Sequence, residues 1–395
     1  MTHKKIIILN SAITLILITA FYLVTRAEYS NQRNYNYSTA NIFDTTLTND
    51  ARQKINDELY KQRVNIITET IQKVSPAVVG INVKEIRQYR SPYANDPFWR
   101  YFFGEGIYNQ EIQGLGSGYI ISPDGYIVTN DHVAGQGDEI TVTLANGEHY
   151  EAKIVGTDLT TDICLLKVDG KNLPFVKFGN SDDIIIGEWA IAVGNPFGLF
   201  SVSEKPTVTV GVISATGMNL SPVENRYYLN MIQTDASINQ GNSGGPLVNS
   251  VGEVIGMNTI IYTASGSGGS IGIGFAIPIN KIKKIVDKLK KFGKIDRNYW
   301  TGLRIQNVDK GIADYFNLKR AYGVLVKEII RNSPADKANF QVYDVITEIN
   351  NIKVDNSNTL IGLLQDYETG DIVNFTIIRD GKELKKKMKL ERQND

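Results

Sequence analysis

Gly241-Asn-Ser-Gly-Gly-Pro-Leu247 sets one serine between small residues directly after a polar turn, and its reading decides the fold. Ser243 is the candidate nucleophile. A hydroxyl attacks a carbonyl only if a base takes its proton and nearby backbone N–H groups receive the oxyanion that forms. Glycines at 241 and 244 allow the tight turn that would point the amides of Gly241, Asn242 and Ser243 at one spot, the construction of an oxyanion hole. A plain glycine-rich connector is the competing reading of the same residues.

The possible partners of Ser243 are few. The chain has three histidines, and His3 lies in the extreme N-terminal leader. His132, in Thr129-Asn-Asp-His-Val133, follows the strand-like run Gly125-Tyr-Ile-Val-Thr129, so its imidazole emerges where a strand ends and a loop begins. His149 follows the hairpin signal Asn146-Gly-Glu148 and reads as a solvated turn residue. A carboxylate is needed to fix the imidazole tautomer. Asp162 heads the apolar run Ile163-Cys-Leu-Leu166 that would bury it, whereas Asp158 reads as a turn residue.

The order His132, Asp162, Ser243 is that of chymotrypsin and differs from those of subtilisin and the α/β-hydrolases. Gly116-Ser-Gly118, Thr129-Asn-Asp-His-Val133, Thr161-Asp-Ile163, Gly194-Asn-Pro-Phe-Gly198, Gln233-Thr-Asp-Ala236 and Gly241-Asn-Ser-Gly-Gly245 occur in one order. Through them the chain closely resembles the HtrA (Deg) family of bacterial serine proteases from about Lys73 to its C-terminus. The resemblance implies a mainly β fold: a chymotrypsin/trypsin-like double six-stranded β-barrel with the active site in the cleft, followed by a PDZ domain. It also implies a trimer. By position it matches a specificity pocket to Ile238, Ile260 and Ile261, whose apolar walls favour a small or medium aliphatic side chain.

Ala321-Tyr-Gly-Val-Leu-Val326, Asn332-Ser-Pro-Ala335 and Asp344-Val-Ile-Thr-Glu-Ile-Asn350 resemble a PDZ domain, which binds a C-terminal peptide as an added strand. Tyr322, Gly323 and Val324 are then the expected carboxylate loop. Two departures stand out: Asn339 and Tyr343 occupy positions where the family has glycine, and tyrosine tolerates a left-handed backbone poorly. A third is Met218, which stands after Ser214-Ala-Thr-Gly217 where the family places a loop-sensing arginine; Arg226 is the nearest substitute.

Composition narrows the function further. Lys+Arg and Asp+Glu balance at 42 each, so no global charge recruits nucleic acid or anionic lipid. The single cysteine, Cys164, lies in an apolar run and reads as inert core. No Cys/His metal spacing, phosphate loop or dinucleotide fingerprint occurs, so no cofactor or metal is expected.

At the N-terminus Lys4 and Lys5 precede the apolar run Ile6–Val24, long enough to span a bilayer, and no small-x-small cleavage site follows. The expectation is an uncleaved helix anchoring the chain to a bacterial inner membrane with its body in the periplasm, the alternative being a soluble periplasmic form after signal cleavage. The expected organisation is an anchor over 1–28, a linker and helix over 29–74, a protease domain over 75–279, a linker helix over 280–299 and a PDZ domain over 300–395. Within this, residues 51–74 carry apolar positions at helical spacing. The aromatic stretch 91–104, bounded by Pro and Gly, reads as an exposed contact loop.

The function expected is a serine endopeptidase cleaving unfolded or membrane-bound signalling proteins, with C-terminal peptides captured by the PDZ domain. The anchor and lone PDZ domain point to a regulatory, DegS/DegQ-like member; a quality-control protease fits nearly as well. The reading from another class is a PDZ-dependent chaperone or peptide-binding scaffold with proteolysis incidental, against which the complete set of His132, Asp162 and Ser243 argues.

Overall fold

The computed structural model describes residues 57–58, 63–90, 107–195, 206–239, 241–259, 270–316, 318 and 320–393. The helical stretch is interrupted at residues 64–65, after helical residues 57–58 and 63, and helix α1 (Ile66–Val74) begins anew on an Asn65 cap: its side chain accepts from the amides of Ile67 and Thr68, and Thr68 Oγ1 accepts from the Asn65 amide. Pro76 ends it through a single 3₁₀ turn.

The first barrel is built from β1 (Val78–Arg90), β2 (Ile107–Ile120), β3 (Tyr126–Thr129), β4 (Glu139–Thr143), β5 (His149–Asp158) and β6 (Ile163–Val168). It closes in the order β1-β2-β3-β6-β5-β4. The short helix α2 (Asp131–Ala134) follows β3. The second barrel uses β8 (Trp189–Gly194), β9 (Thr207–Met218), β10 (Met231–Thr234), β11 (Pro246–Val248), β12 (Glu253–Thr259) and β13 (Gly274–Pro278), closed by β11 on β12, with β7 (Lys177–Phe178) added in parallel to β12.

β6 shows why such strands read as unbroken apolar runs instead of alternating ones. Successive side chains point to opposite faces of a strand. Cys164, Leu166 and Val168 fill the first barrel with Val79, Ile81 and Ile127, while Ile163 and Leu165 face a second core between the barrels, with Tyr119, Ile191 and Val193. β8 does the same from the other side: Ala190 and Ala192 fill the second barrel, and Ile191 and Val193 meet Leu165 between the barrels. Apart from Lys167 in β6 and Trp189 at the start of β8, every residue of both strands is buried, so neither shows a polar alternation.

Helix α3 (Ile279–Phe292) buries Ile282, Ile285, Val286 and Leu289 against this shared core and ends on Gly293 at φ 70°. The third sheet runs β14 (Leu303–Asn307), β15 (Val324–Ile329), β16 (Val345–Ile349), β18 (Ile372–Arg379), β19 (Lys382–Lys389), with β17 (Ile352–Lys353) on β16. Helices α4 (Lys310–Tyr315), α5 (Pro334–Lys337) and α6 (Ser357–Leu364) complete it. This body docks on the first barrel through Arg297, whose guanidinium forks onto Asp158 at 2.5 and 2.7 Å while its Nε donates to the Gln365 carbonyl. Asp158, read as a turn residue from sequence, is therefore a buried docking residue.

The expected transmembrane helix needs correction. Ile6–Val24 lies outside the described residues, as does the aromatic loop 91–104, and no helix among the described residues is long and apolar enough to cross a membrane. The fold is two six-stranded barrels followed by a PDZ-like sheet body. The membrane anchor, the inner-membrane partner and the inner-membrane location drawn from it are withdrawn.

Both substituted glycine positions keep a left-handed backbone: Asn339 has φ 56° and Tyr343 φ 76°. The loop thus adopts the glycine-type conformation despite the side chains. Tyr343 is 62% exposed, and its ring lies 6.0 Å from that of Phe316 in a tilted contact. Left-handed backbone costs an L-residue about 1–2 kcal/mol, more than one exposed ring contact returns. Tyr343→Gly should therefore stabilise this body by up to about 1 kcal/mol, and Asn339→Gly by less. Hydrogen exchange of β16 and β18 amides in the full chain measures both; a loss of protection in Tyr343→Gly would show that the ring contact outweighs the strain.

Candidate active site

Each residue of Thr129-Asn-Asp-His132 has its own fixed partner. Thr129 Oγ1 donates to the Ser117 carbonyl at 2.7 Å, and Asn130 Nδ2 to the Asp162 carbonyl at 3.0 Å. The Asp131 carboxylate accepts from the Thr157 hydroxyl and, at 3.0 Å, from Arg226 Nη2. The His132 amide donates to Asp162 Oδ1 at 3.0 Å, and its Nδ1 lies 2.8 Å from Oδ2. Backbone and ring are thus gripped by one carboxylate. With Nδ1 committed to Asp162, the proton sits there and Nε2 is left as the acceptor.

Asp162 is fully buried and has φ 60°, a left-handed backbone that aspartate tolerates better than most residues. Tyr228 OH donates to its Oδ2 at 3.1 Å and Thr259 Oγ1 at 3.3 Å, the latter reaching across from the second barrel. Burial, reinforced by the Asp162 charge, pushes the Tyr228 phenol up, so it stays a donor. Arg226 Nε stands 3.4 Å from Oδ1. Burial pulls the Arg226 guanidinium down, but Asp162 and Asp131 outweigh it and the net direction is upward. The Cys164 thiol beside this group is pushed up to about 12 by burial and by Asp131, which fits an inert core residue.

Ser243 enters from the second barrel. Its carbonyl accepts from the Ser117 amide at 2.9 Å, Ser117 Oγ donates to the Gly241 carbonyl at 2.5 Å, and the Asn195 amide donates to Ser117 Oγ at 2.7 Å. Ser117 is therefore the clasp between β2 and the nucleophile loop. Sequence reasoning saw Gly116-Ser-Gly118 but gave Ser117 no role; its placement between two glycines, which allow close backbone approach, was the available signal. A Cβ on Gly244, at φ 84°, would lie 2.2 Å from the Ser117 carbonyl oxygen and 2.3 Å from Thr129 Oγ1, so only glycine lets this loop touch the strand that delivers His132.

Ser243 Oγ itself is buried and has no hydrogen-bond partner among the described residues. Of the three amides expected to point inward, that of Asn242 instead donates to the Asn239 carbonyl at 3.0 Å. The Gly241 and Ser243 amides donate to no carbonyl among the described residues.

The remaining expected site residues fall elsewhere. Ile238 is buried in the core of the second barrel, and Ile260 and Ile261 lie outside the described residues. His149 is exposed at the start of β5, paired with Thr143 Oγ1 at 2.9 Å. Arg226 faces Asp131, Asp162 and Glu224 and is 7% exposed, a poor position for sensing a neighbouring loop.

Tyr322, Gly323 and Val324 lead into β15, an inner strand paired on both sides, and the Gly323 amide is taken by the Asp355 carbonyl. No edge is free there for an added strand. The edge strands of this sheet are β14 and β19, and beside β14 lies a groove of about 340 Å³ lined by Tyr299, Thr301, Gly302, Leu303, Ile330, Ile361 and Leu364. Gly302 has φ 74°, and a Cβ there would lie 2.0 Å from Ser333 Cβ.

Comparisons with known proteins agree with this architecture. A trypsin-like peptidase domain family matches residues 116–257 and a PDZ domain family matches residues 300–390. The chain is 43% identical over 333 residues to a "Probable periplasmic serine endoprotease DegP-like" of Pseudomonas putida, covering 80% of this chain and 68% of that protein. It is 44% identical over 347 residues to a protein of the same description from Chlamydia trachomatis, covering 82% and 68%. Among solved structures, an HtrA-type protease AlgW with a decapeptide superposes with a TM-score of 0.62 at 33% identity, covering 84% of this chain and 100% of that one. The serine endoprotease from Yersinia pestis does so with 0.54 at 31%, covering 84% and 99%. The curated relatives are DegP-like and do not single out a DegS/DegQ-like branch.

Because Ser243 Oγ is buried without a partner among the described residues, Ser243→Ala should leave the melting temperature unchanged or slightly higher. The same change should lower cleavage of an unfolded protein by several orders of magnitude, and His132→Ala should do nearly the same. His149→Ala is the control and should leave turnover within about twofold of the parent. Calorimetry and digestion of denatured casein measure the two effects; residual cleavage above roughly a tenth in Ser243→Ala would remove Ser243 from the reaction.

Proposed function

The chain belongs to the HtrA family of serine endopeptidases, which join a trypsin-like domain to PDZ-mediated peptide recognition, and we propose that it works in the bacterial periplasm as a DegP-like quality-control protease on unfolded chains. The observation that carries the chemistry is the double grip of Asp162 on His132, through backbone amide and ring Nδ1, which leaves Nε2 as the base.

Roles follow from that geometry. Ser243 Oγ turns onto His132 Nε2 and gives up its proton as it attacks the peptide carbonyl. Asp162 stabilises the imidazolium so formed, and Tyr228 and Thr259 hold the carboxylate against rotation. The Gly241 and Ser243 amides, free of other partners among the described residues, receive the oxyanion; the Asn242 amide keeps the loop turned by its bond to Asn239. The imidazolium then protonates the leaving amine, and water resolves the acyl-enzyme.

Peptides enter the PDZ body as a strand on β14, their free carboxylate held by the backbone around Thr301 and Gly302 and their last side chain between Ile330, Ile361 and Leu364. Peptides with a free C-terminus and an apolar last residue should bind the full chain, and C-terminal amidation should weaken them. Gly302→Ala should weaken binding at least tenfold, because the loop must shift to clear Ser333. Fluorescence anisotropy of labelled peptides reads this. Unchanged affinity in Gly302→Ala, or equal affinity of amidated peptides, would move the site away from β14.

A further inference from the structure

Arg226 sits in a tight turn closed by two backbone hydrogen bonds with Val223, and the next amide, Tyr227, donates to the Thr160 carbonyl just before Asp162. The turn is thus tied to the loop that carries the triad acid. From it the guanidinium reaches between two buried carboxylates. Nη2 donates to Asp131 at 3.0 Å, Nε faces Asp162 Oδ1 at 3.4 Å, and Nη1 meets the exposed Glu224 at 3.1 Å. Nε is buried and makes no hydrogen bond among the described residues, so toward Asp162 the side chain acts by charge and not by direction.

Counting charge around the imidazole shows what this does. Asp131 precedes His132 in the chain and is 4% exposed; Asp162 is fully buried. The other groups packed here are neutral: the Tyr228 phenol and the Cys164 thiol, both pushed up by burial, and the hydroxyls of Thr157 and Thr259. With Arg226 the buried charges sum to minus one, enough to stabilise an imidazolium during the reaction. Without it they sum to minus two, and a second uncompensated carboxylate beside the ring favours the imidazolium over the neutral base. A base that is already protonated cannot activate Ser243.

We propose that Arg226 is a positioning residue that holds and offsets Asp131 beside Asp162, so that His132 remains a neutral acceptor at a more acidic pH than two uncompensated carboxylates would allow. The proposal rests on the triad reading, but the two fail differently. An active Ser243→Ala would sink the triad, whereas this proposal can fail with Ser243→Ala inactive.

The test is the pH dependence of kcat/KM for the full chain on fluorescently labelled denatured casein. Arg226→Met should move the midpoint of the acid limb up by about one pH unit, costing about tenfold at the acid end, while the alkaline plateau stays within a few-fold of the parent. Arg226→Lys should restore most of that shift. Asp131→Asn, which leaves Arg226 facing Asp162 alone, should move the midpoint the opposite way, to lower pH. This last variant decides the matter if Arg226→Met does not fold. A loss that is equal at every pH with an unmoved midpoint, or a shift of the same sign in Asp131→Asn, would show that Arg226 only packs and would overturn the proposal.

Discussion

A carboxylate removed from water must find its hydrogen bonds in the protein, and the site is organised around that demand at Asp162. Its two oxygens are met by the amide and ring of His132 from the first barrel, by Tyr228 from the segment leading into β10, and by Thr259 from β12. The demand therefore joins both barrels. It also explains the left-handed backbone at 162, which turns the carboxylate inward while Asn130 occupies its carbonyl. An acid left without one of these donors would cost about 1–3 kcal/mol and would be free to rotate away from the imidazole.

The nucleophile loop is placed by a different kind of constraint, the exclusion of side-chain volume. Gly244 lies where backbone and hydroxyl atoms of the first barrel leave no room for a Cβ, and Ser117 ties both sides of Ser243 to β2. Contact of this closeness needs no hydrophobic area. It works because the two barrels are already held by the core between them, which supplies the rigidity that a surface serine would lack.

Much of this was legible in the chain. From sequence, His132 was picked out because it follows a strand-like run, Asp162 because it heads an apolar one, and Ser243 because small residues surround it after a polar turn. The two barrels followed from the succession of β-branched runs and from a resemblance to a known family. What stayed hidden depends on contacts between distant segments. Asp158 looked like a turn residue because its partner, Arg297, lies 139 positions away. Tyr322–Val324 looked like a ligand loop because the sequence does not say which strand of a sheet is its edge, and pairing puts β15 inside. Arg226 closes a turn and Tyr228 lies in the segment that follows it, and the pattern of neither says anything of the carboxylates they reach. At Tyr343 the pattern argued against a left-handed backbone and the chain adopts one nonetheless, held there by the bond from its amide to the Val326 carbonyl.

β6 and β8 are buried almost throughout, since each lends alternate residues to a barrel interior and to the core between barrels. A partition that two neighbours share cannot be taken down by one of them alone. Opening either barrel exposes part of that common core and the strand opposite it, so the stabilities of the two barrels are coupled. His132, delivered by the first barrel, and Ser243, delivered by the second, are therefore held in register by one shared set of apolar residues.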